Sequence, residues 1–342
     1  MPELAPVKNP AEALIQLDRI SKRFGKKPDL LGRGLARLGL SRPAAMLHAV
    51  ADVDMAVRAG EVVGIVGESG CGKSTLGRMI AGMLAPSAGT VRWNGVDIHS
   101  LPPSQRKKAA LGIQMIFQNP FASINPRKKI ADVVGEAPLV HGMVDGRQGS
   151  DAYASYVTAQ LERVGLDPSM QDRYAHELSG GQRQRVGIAR ALAVRPEVLV
   201  CDESVAALDV SIQAQIINLF MDLKAQLNLT YFFISHDLGV IRHLSDRVTV
   251  MYLGRIVEEA SVRDLFMQPH HPYTRALIDE IPTISTERRR FTPLRGELPS
   301  PLAPPAGCAF HPRCKFASKR CHVERPLLRE IGPNRRSACH LD

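Results

Sequence analysis

The octet Gly67–Glu68–Ser69–Gly70–Cys71–Gly72–Lys73–Ser74 stands directly behind the apolar run Val62–Val63–Gly64–Ile65–Val66 and matches GxxxxGK[ST] at every fixed position. That order predicts a buried strand, a glycine-rich turn and a helix, which commits the chain to an α/β layout around a phosphate-sized cradle. The glycines let consecutive backbone N–H groups face phosphate oxygens, and a helix beginning near Lys73 adds the positive end of its dipole. Lys73 is placed to reach the β- and γ-phosphates of a nucleotide, and the Ser74 hydroxyl to ligate Mg²⁺, with Thr75 next along the helix. Leu76, Met79, Ile80 and Met83 recur at helical spacing, so the helix is expected from Lys73 to Leu84. A glycine-rich turn with a chance lysine is the bland alternative, and the strand before it and the helix after it argue against that. Cys71 stands where a helix start can lower a thiol's pKa, but a small loop filler is the simpler reading.

Further on, Val198–Leu199–Val200–Cys201–Asp202–Glu203 is a short apolar run closed by two carboxylates, as in a buried parallel strand with its acids at the carboxyl edge. Asp202 suits Mg²⁺, directly or through water. Glu203 is placed to polarise a water for in-line attack on a γ-phosphate. Between the two motifs, Leu178–Ser179–Gly180–Gly181–Gln182 opens a helix running on through Val186, Ile188 and Ala189, which offers a second anion site at a helix start.

In this order the stretches resemble the nucleotide-binding subunit of an ATP-binding cassette (ABC) transporter. The resemblance implies ATP with Mg²⁺ as cofactors. It also implies an α/β fold of the P-loop NTPase kind: a mixed sheet with a RecA-like core, an antiparallel β subdomain and an α-helical subdomain at about 125–180. Phe24 matches the aromatic that stacks on adenine, and Gln118, after Met115–Ile116–Phe117, matches the glutamine that senses the γ-phosphate and Mg²⁺. Leu178 to Gln182 matches the LSGGQ signature, whose Ser179, Gly180, Gly181 and Gln182 meet the γ-phosphate held by the opposite subunit. Ala207–Leu208–Asp209 resembles the D-loop, and His236, after Tyr231–Phe232–Phe233–Ile234–Ser235, the switch histidine. Glu203, His236 and Gln118 are therefore the implied catalytic set. Ser204 departs from the proline usual after the glutamate, and Ala206 from the usual D-loop serine.

The chain's 342 residues suit one large domain with an appendage, divided at 1–265 and 266–342. No uninterrupted apolar run approaches the ~20 residues that span a bilayer, and Met1–Pro2–Glu3–Leu4–Ala5–Pro6 lacks the build of an export signal. A cytosolic chain is expected, peripheral on the inner face of the cell membrane through partners. The net charge of +10 raises the question of nucleic acid. From Glu287 onward, however, twelve Lys or Arg stand against five acids with no aromatic interleaving, so most of the excess lies in the tail and a nucleic-acid partner is not expected.

Residues 25 to 48 read as an insert behind Phe24, a surface hairpin excursion in preference to an amphipathic helix, given Gly32, Gly34 and Gly39. Asn119 to Arg127 resembles the loop that meets the permease in the dipeptide and oligopeptide importer branch of the family. His271–Pro272–Tyr273–Thr274–Arg275–Ala276–Leu277 resembles that branch's C-terminal extension and starts a helix with Pro272 at its first position. Adjacent His270 and His271 are not expected to bind metal. A proline-rich connector follows, then Cys308, Cys314, Cys321 and Cys339. Disulfides are improbable in a cytosolic protein, so four gathered thiols suggest a metal site. The spacing lacks the C-x₂₋₄-C pair usual for zinc, whereas a [4Fe-4S] cluster tolerates wider spacing. Cluster, zinc and free thiols remain the alternatives, and the branch resemblance implies the cluster.

The resemblance thus implies the ATPase of a binding-protein-dependent importer of di- or oligopeptides. Asp209 to Gln215 and His236 to Val257 look F-type, which implies a heterodimer with a D-type ATPase, two membrane permeases and, through them, an extracytoplasmic binding protein. Nickel, glutathione, opine and antimicrobial-peptide systems share the branch. A soluble ABC protein is the rival from another class, but it would bring coiled-coil insertions or two cassettes in one chain.

Overall fold

A computed structural model describes residues 13–25, 46–119, 123–206, 208–281 and 296–341. Of the insert read at 25–48, residues 26–45 lie outside the described residues, while Leu47 and His48 belong to strand β2 (Leu47–Val57) and not to an insert; the tip of the Asn119 to Arg127 loop, Ala207 and most of the connector before Gly296 also lie outside.

Strands β3 (Val62–Val66), β7 (Val198–Asp202) and β8 (Thr230–Ile234) are buried along their whole length, which is why they read as unbroken apolar runs. With β6 (Ile113–Ile116) and β9 (Arg247–Tyr252) they form the parallel centre of an eight-stranded sheet. Its order is β11-β12-β10-β9-β3-β8-β7-β6. The period of two divides each strand between two cores. Val62, Val66, Leu199, Cys201, Tyr231 and Phe233 face a core shared with the helical side, whereas Val63, Ile65, Val198, Val200, Phe232 and Ile234 face the other. That second core also holds a four-stranded antiparallel sheet, β2-β1-β4-β5, built from β1 (Ile15–Phe24), β2 (Leu47–Val57), β4 (Ala88–Trp93) and β5 (Val96–Asp97). Phe24 pairs with Leu47, so the insert leaves and re-enters at two neighbouring strand ends.

Helix α1 (Lys73–Ile80) is shorter than its apolar pattern predicts. Gly82, at φ 69°, ends it: the Gly82 N–H donates to the Met79 carbonyl and the Met83 N–H to the Arg78 carbonyl, the two bonds of a Schellman cap. Met83 lies beyond the cap and is exposed, not part of the buried face. After α2 (Pro103–Gly112) and β6 comes the helical region: α3 (Ile130–Val140), α4 (Asp151–Arg163) capped by the Ser150 side chain, two 3₁₀ turns (Pro168–Asp172 and Ala175–Glu177) and α5 (Gly180–Leu192). Tyr153 of α4 donates its hydroxyl to the Ala131 carbonyl, locking α4 to α3. Helix α6 (Val210–Leu227) leads to β8 and α7 (Leu238–Leu244) to β9.

The tail returns to this sheet. Beyond β10 (Arg255–Ser261), α8 (Val262–Met267) and α9 (Pro272–Asp279), a 3₁₀ turn (His311–Arg313) and α10 (Lys319–Val323) carry the chain to the hairpin β11 (Arg329–Gly332) and β12 (Arg335–Ser337). Strand β12 pairs antiparallel with β10, Glu258 with Ser337 and Glu259 with Arg336. Buried Glu259 accepts from Arg247 of the core on one oxygen and from Arg336 of the tail on the other, at 2.6 Å. Glu258, also buried, accepts the His270 and His271 N–H groups, each at 2.8 Å. Burial holds the His271 imidazole down to about 3, so it stays neutral, and its Nδ1 accepts the Tyr273 N–H at 3.1 Å as the cap of α9.

Candidate functional site

Strands β3, β8, β7 and β6 are neighbours and parallel, so their carboxyl ends open along one edge. The residues that follow each strand meet there: the glycine loop after β3, Asp202 and Glu203 at the end of β7, His236 after β8 and Gln118 after β6. Sheet order alone thus puts Glu203 between Gln118 and His236. The Gln118 amide donates to Glu203 Oε2 at 2.6 Å, and His236 Nδ1 stands 3.5 Å from Oε1. Glu203 takes the left-handed φ of 45°, rare outside glycine, and its N–H donates to the Ile234 carbonyl at 2.9 Å. The backbone is therefore turned to hold this carboxylate toward its two neighbours.

The loop itself is held by main-chain contact. Gly72 sits at φ 106°, and a Cβ there would lie 2.1 Å from the Ala49 carbonyl oxygen, so the antiparallel sheet presses on the loop where only glycine fits. Lys73 is 4% exposed and bends back to donate to the Gly67 and Glu68 carbonyls, at 2.7 and 3.0 Å. Ser74 donates its hydroxyl to Asp202 Oδ1 at 2.9 Å, pairing the two groups read as Mg²⁺ ligands, with Thr75 beside it in α1. Burial lifts the Asp202 carboxyl above its usual range; the Ser74 hydrogen bond pulls it back and Glu203 pushes it up again. Burial likewise raises the Cys71 thiol, with Lys73 opposing, which suits a loop filler better than a nucleophile. Phe24 ends β1 with its ring 41% exposed, paired to Leu47 two residues before Ala49, and Lys22 Nζ stands 5.5 Å from the ring centroid.

Ser179 caps α5: its hydroxyl accepts the Gln182 N–H at 3.3 Å while the Gln182 side chain accepts the Ser179 N–H at 3.0 Å. A Cβ on Gly181 would meet Ile212 of α6 at 2.7 Å, so the glycine lets α5 start against α6. Among the described residues no hydrogen bond or ion pair joins 178–182 to 67–75. Asp209 is exposed at the start of α6 and its side chain makes no cap bond. Ser204 is buried and its hydroxyl has no hydrogen-bond partner among the described residues.

Cys308, Cys314, Cys321 and Cys339 are partly buried; burial raises the Cys308, Cys314 and Cys339 thiols, Cys308 to about 11, and nearby thiolate charge adds to it. Cys308 N–H donates to the Cys321 carbonyl at 2.8 Å. Yet among the described residues no three His, Cys, Asp or Glu are arranged to hold a metal ion. The thiols are gathered without closing on one point, and the iron–sulfur expectation draws no support from this geometry. Three of the tail's basic residues are committed to ion pairs, Arg336 with Glu259, Arg320 with Glu324, and Arg313 with Glu68 of the glycine loop. The last contact and its neighbour Tyr273 were missed from sequence, where Arg313 counted only toward net charge.

Comparison with known proteins bears on the same residues. The family model "ABC transporter" matches residues 50–206, and "Oligopeptide/dipeptide transporter, C-terminal region" matches 257–321. Oligopeptide transport ATP-binding protein AppF of Bacillus subtilis is 45% identical over 96% of this chain and 98% of its own length. The chain belongs to the ABC transporter ATP-binding family. The probable peptide ABC transporter ATP-binding protein y4tS of Sinorhizobium fredii is 47% identical over 86% of this chain and 83% of its own. Among solved structures, the post-hydrolysis dimer of the ATP-binding cassette MJ0796, bound to ADP and Pi, shares 25% identity at a TM-score of 0.61, covering 73% of this chain and 99% of that one. CbiO1 of Clostridium perfringens, part of the ABC transporter complex cbiONQ, shares 26% at 0.59, over 75% of this chain and 92% of its own. The protein is therefore an ABC ATPase, a P-loop NTPase whose cassette works with ATP and Mg²⁺. Among the described residues no helix is long and apolar enough to cross a membrane.

Proposed function

We propose that this ABC ATPase energises import of di- or oligopeptides across the cytoplasmic membrane, working from the membrane's inner face as one of two nucleotide-binding subunits on a pair of permeases. The observation that carries this reading is the presence in one chain of the cassette at 50–206 and the peptide-transporter C-terminal region at 257–321. In this account Lys73, Ser74 and Thr75 with the Gly67 to Gly72 amides hold the triphosphate, Phe24 supports the adenine, and Ser74, Asp202 and Gln118 hold Mg²⁺. Glu203 takes a proton from the attacking water, with Gln118 and His236 orienting it. Ser179, Gly180, Gly181 and Gln182, with Asp209 near the same face, serve the opposite subunit's nucleotide. Support comes from the Ser179–Gln182 cap, which presents a helix start like that of a phosphate site. The opposite subunit is read as D-type, and an extracytoplasmic binding protein delivers peptide through the permeases. The test is to copurify this chain with its genomic neighbours, reconstitute the complex in vesicles and add peptide-loaded binding protein. ATP hydrolysis should rise several-fold; a complex indifferent to peptide but stimulated by another cargo would remove the peptide assignment.

We also propose that Cys308, Cys314, Cys321 and Cys339 hold a [4Fe-4S] cluster that braces the tail. The donor set fits such a group in kind, four free and partly buried thiols. The raised thiols of Cys308, Cys314 and Cys339 would lose their protons to the metal's own charge, and ligation would draw the four sulfurs into one metal-holding arrangement. Anaerobically purified chain should carry about four iron and four sulfide. Each Cys→Ser change should lower the iron content and open the tail to protease. Colourless protein with a single zinc, or with no metal, would overturn the proposal.

A further inference from the structure

Position 68 is one of the four places in the phosphate loop that GxxxxGK[ST] leaves free, yet here every polar group of Glu68 is engaged. Its N–H donates to the Tyr273 hydroxyl at 2.8 Å, and its carbonyl accepts from Lys73 Nζ at 3.0 Å. Its carboxylate accepts both arms of the Arg313 guanidinium, Nη1 to Oε2 at 2.6 Å and Nη2 to Oε1 at 2.9 Å. Such a two-point fork fixes direction as well as distance. The Arg313 side chain is 4% exposed against 27% for Glu68, so the arginine is anchored in the protein and the carboxylate reaches to it. Arg313 ends the 3₁₀ turn that lies between Cys308 and Cys314, and Phe310 of the same segment packs on Tyr252 and Tyr273, both ring centroids 5.4 Å away. A continuous line of contacts therefore runs from the cysteine-bearing tail through Arg313 and Glu68 to the carbonyl that receives the phosphate lysine.

A carboxylate has no chemical task in a loop built to receive a polyanion, and left alone it would repel one. We propose that Arg313 is a positioning residue for ATP binding: from the tail it fixes the phosphate loop and neutralises Glu68, whose charge would otherwise oppose the triphosphate. This makes the tail part of the nucleotide site, not an accessory to it, and couples the order of the four-thiol region to affinity for ATP. The inference rests on the reading of Gly67 to Ser74 as the phosphate loop.

The charge argument and a purely structural salt bridge differ in sign. In calorimetric titration of the full-length chain with ATPγS and Mg²⁺, Arg313→Met should weaken binding about tenfold, since it leaves an unpaired negative charge in the loop. Glu68→Gln, which removes the carboxylate and keeps the Arg313 charge beside the loop, should tighten it about threefold. The double variant should recover most of the loss, while both single variants lower the melting temperature. A bridge that only braces the fold would weaken binding alike in both single variants; that outcome, or an Arg313→Met chain that binds as wild type, overturns the proposal. Should Arg313→Met not fold, Glu68→Gln decides alone: binding no tighter than wild type is the overturning result. Lys73→Ala is titrated alongside. If it binds ATPγS as well as wild type, the phosphate-loop reading falls, not the role of Arg313.

Discussion

Glu203→Gln leaves the assembled transporter able to bind MgATP and cuts its turnover by about 10²–10⁴-fold, the usual worth of a positioned general base. The amide has the carboxylate's shape and can keep a contact to Gln118, which now stands 2.6 Å from Oε2, but it cannot take a proton from water. The change leaves the Lys73 contacts and the Ser74–Asp202 hydrogen bond in place and, by removing the Glu203 charge, favours ionised Asp202, so the nucleotide cradle is retained. Lys73→Ala provides the contrast, because it removes the ammonium bent back onto the Gly67 and Glu68 carbonyls and should weaken binding itself. The measurement is single-turnover hydrolysis with the second subunit's site disabled, beside equilibrium nucleotide binding. Hydrolysis near the wild-type rate would take the base assignment away from Glu203.

Ser179→Arg should silence the other subunit's nucleotide and spare the chain's own. Ser179 opens α5 with an amide and a hydroxyl that now satisfy each other through Gln182, a closed cap awaiting nothing from within the chain. In a two-subunit site the same helix start faces the opposite γ-phosphate, where an arginine's bulk would hold the surfaces apart. The purified chain alone should therefore turn over ATP poorly. In the pair, Ser179→Arg combined with Glu203→Gln here should abolish hydrolysis by more than about a hundredfold, because one change blocks each site. Light scattering paired with activity is the check: a monomer hydrolysing at the transporter's rate contradicts the shared site.

The nucleotide cradle was legible because its chemistry constrains backbone locally. Gly72 must be glycine where the loop passes the Ala49 carbonyl, Lys73 must follow it, and a buried parallel strand must be apolar on both faces. The meeting of Gln118, Glu203 and His236 was legible as motif order, although only the sheet order explains the geometry. The end of α1 was misread because Met83 continued the apolar period, while the real signal, Gly82 in the left-handed region, is a single residue. What could not be read at all was pairing at a distance. Arg313 and Glu68 lie 245 residues apart, and nothing in either neighbourhood marks it as the other's partner. The same holds for Arg336 on Glu259 and for β12 on β10, where strands of three to seven residues carry little register information of their own.

The pairing of β12 with β10 has a consequence for how this protein comes off the ribosome. Strand β10 ends at Ser261 and its outer neighbour begins only at Arg335, so the edge of the nucleotide-binding sheet stays bare until the hairpin carrying β12 has been made. Through that interval an open strand edge with buried-type residues is available to any passing chain, the hazard that edge strands pose in every sheet protein. Glu259 sits on that edge with one oxygen held by Arg247 of the core, and an intruding strand would bury the other oxygen unmet. Only the native tail brings Arg336 to answer it, so the residue that makes the unfinished edge unattractive to strangers also selects the strand that completes it.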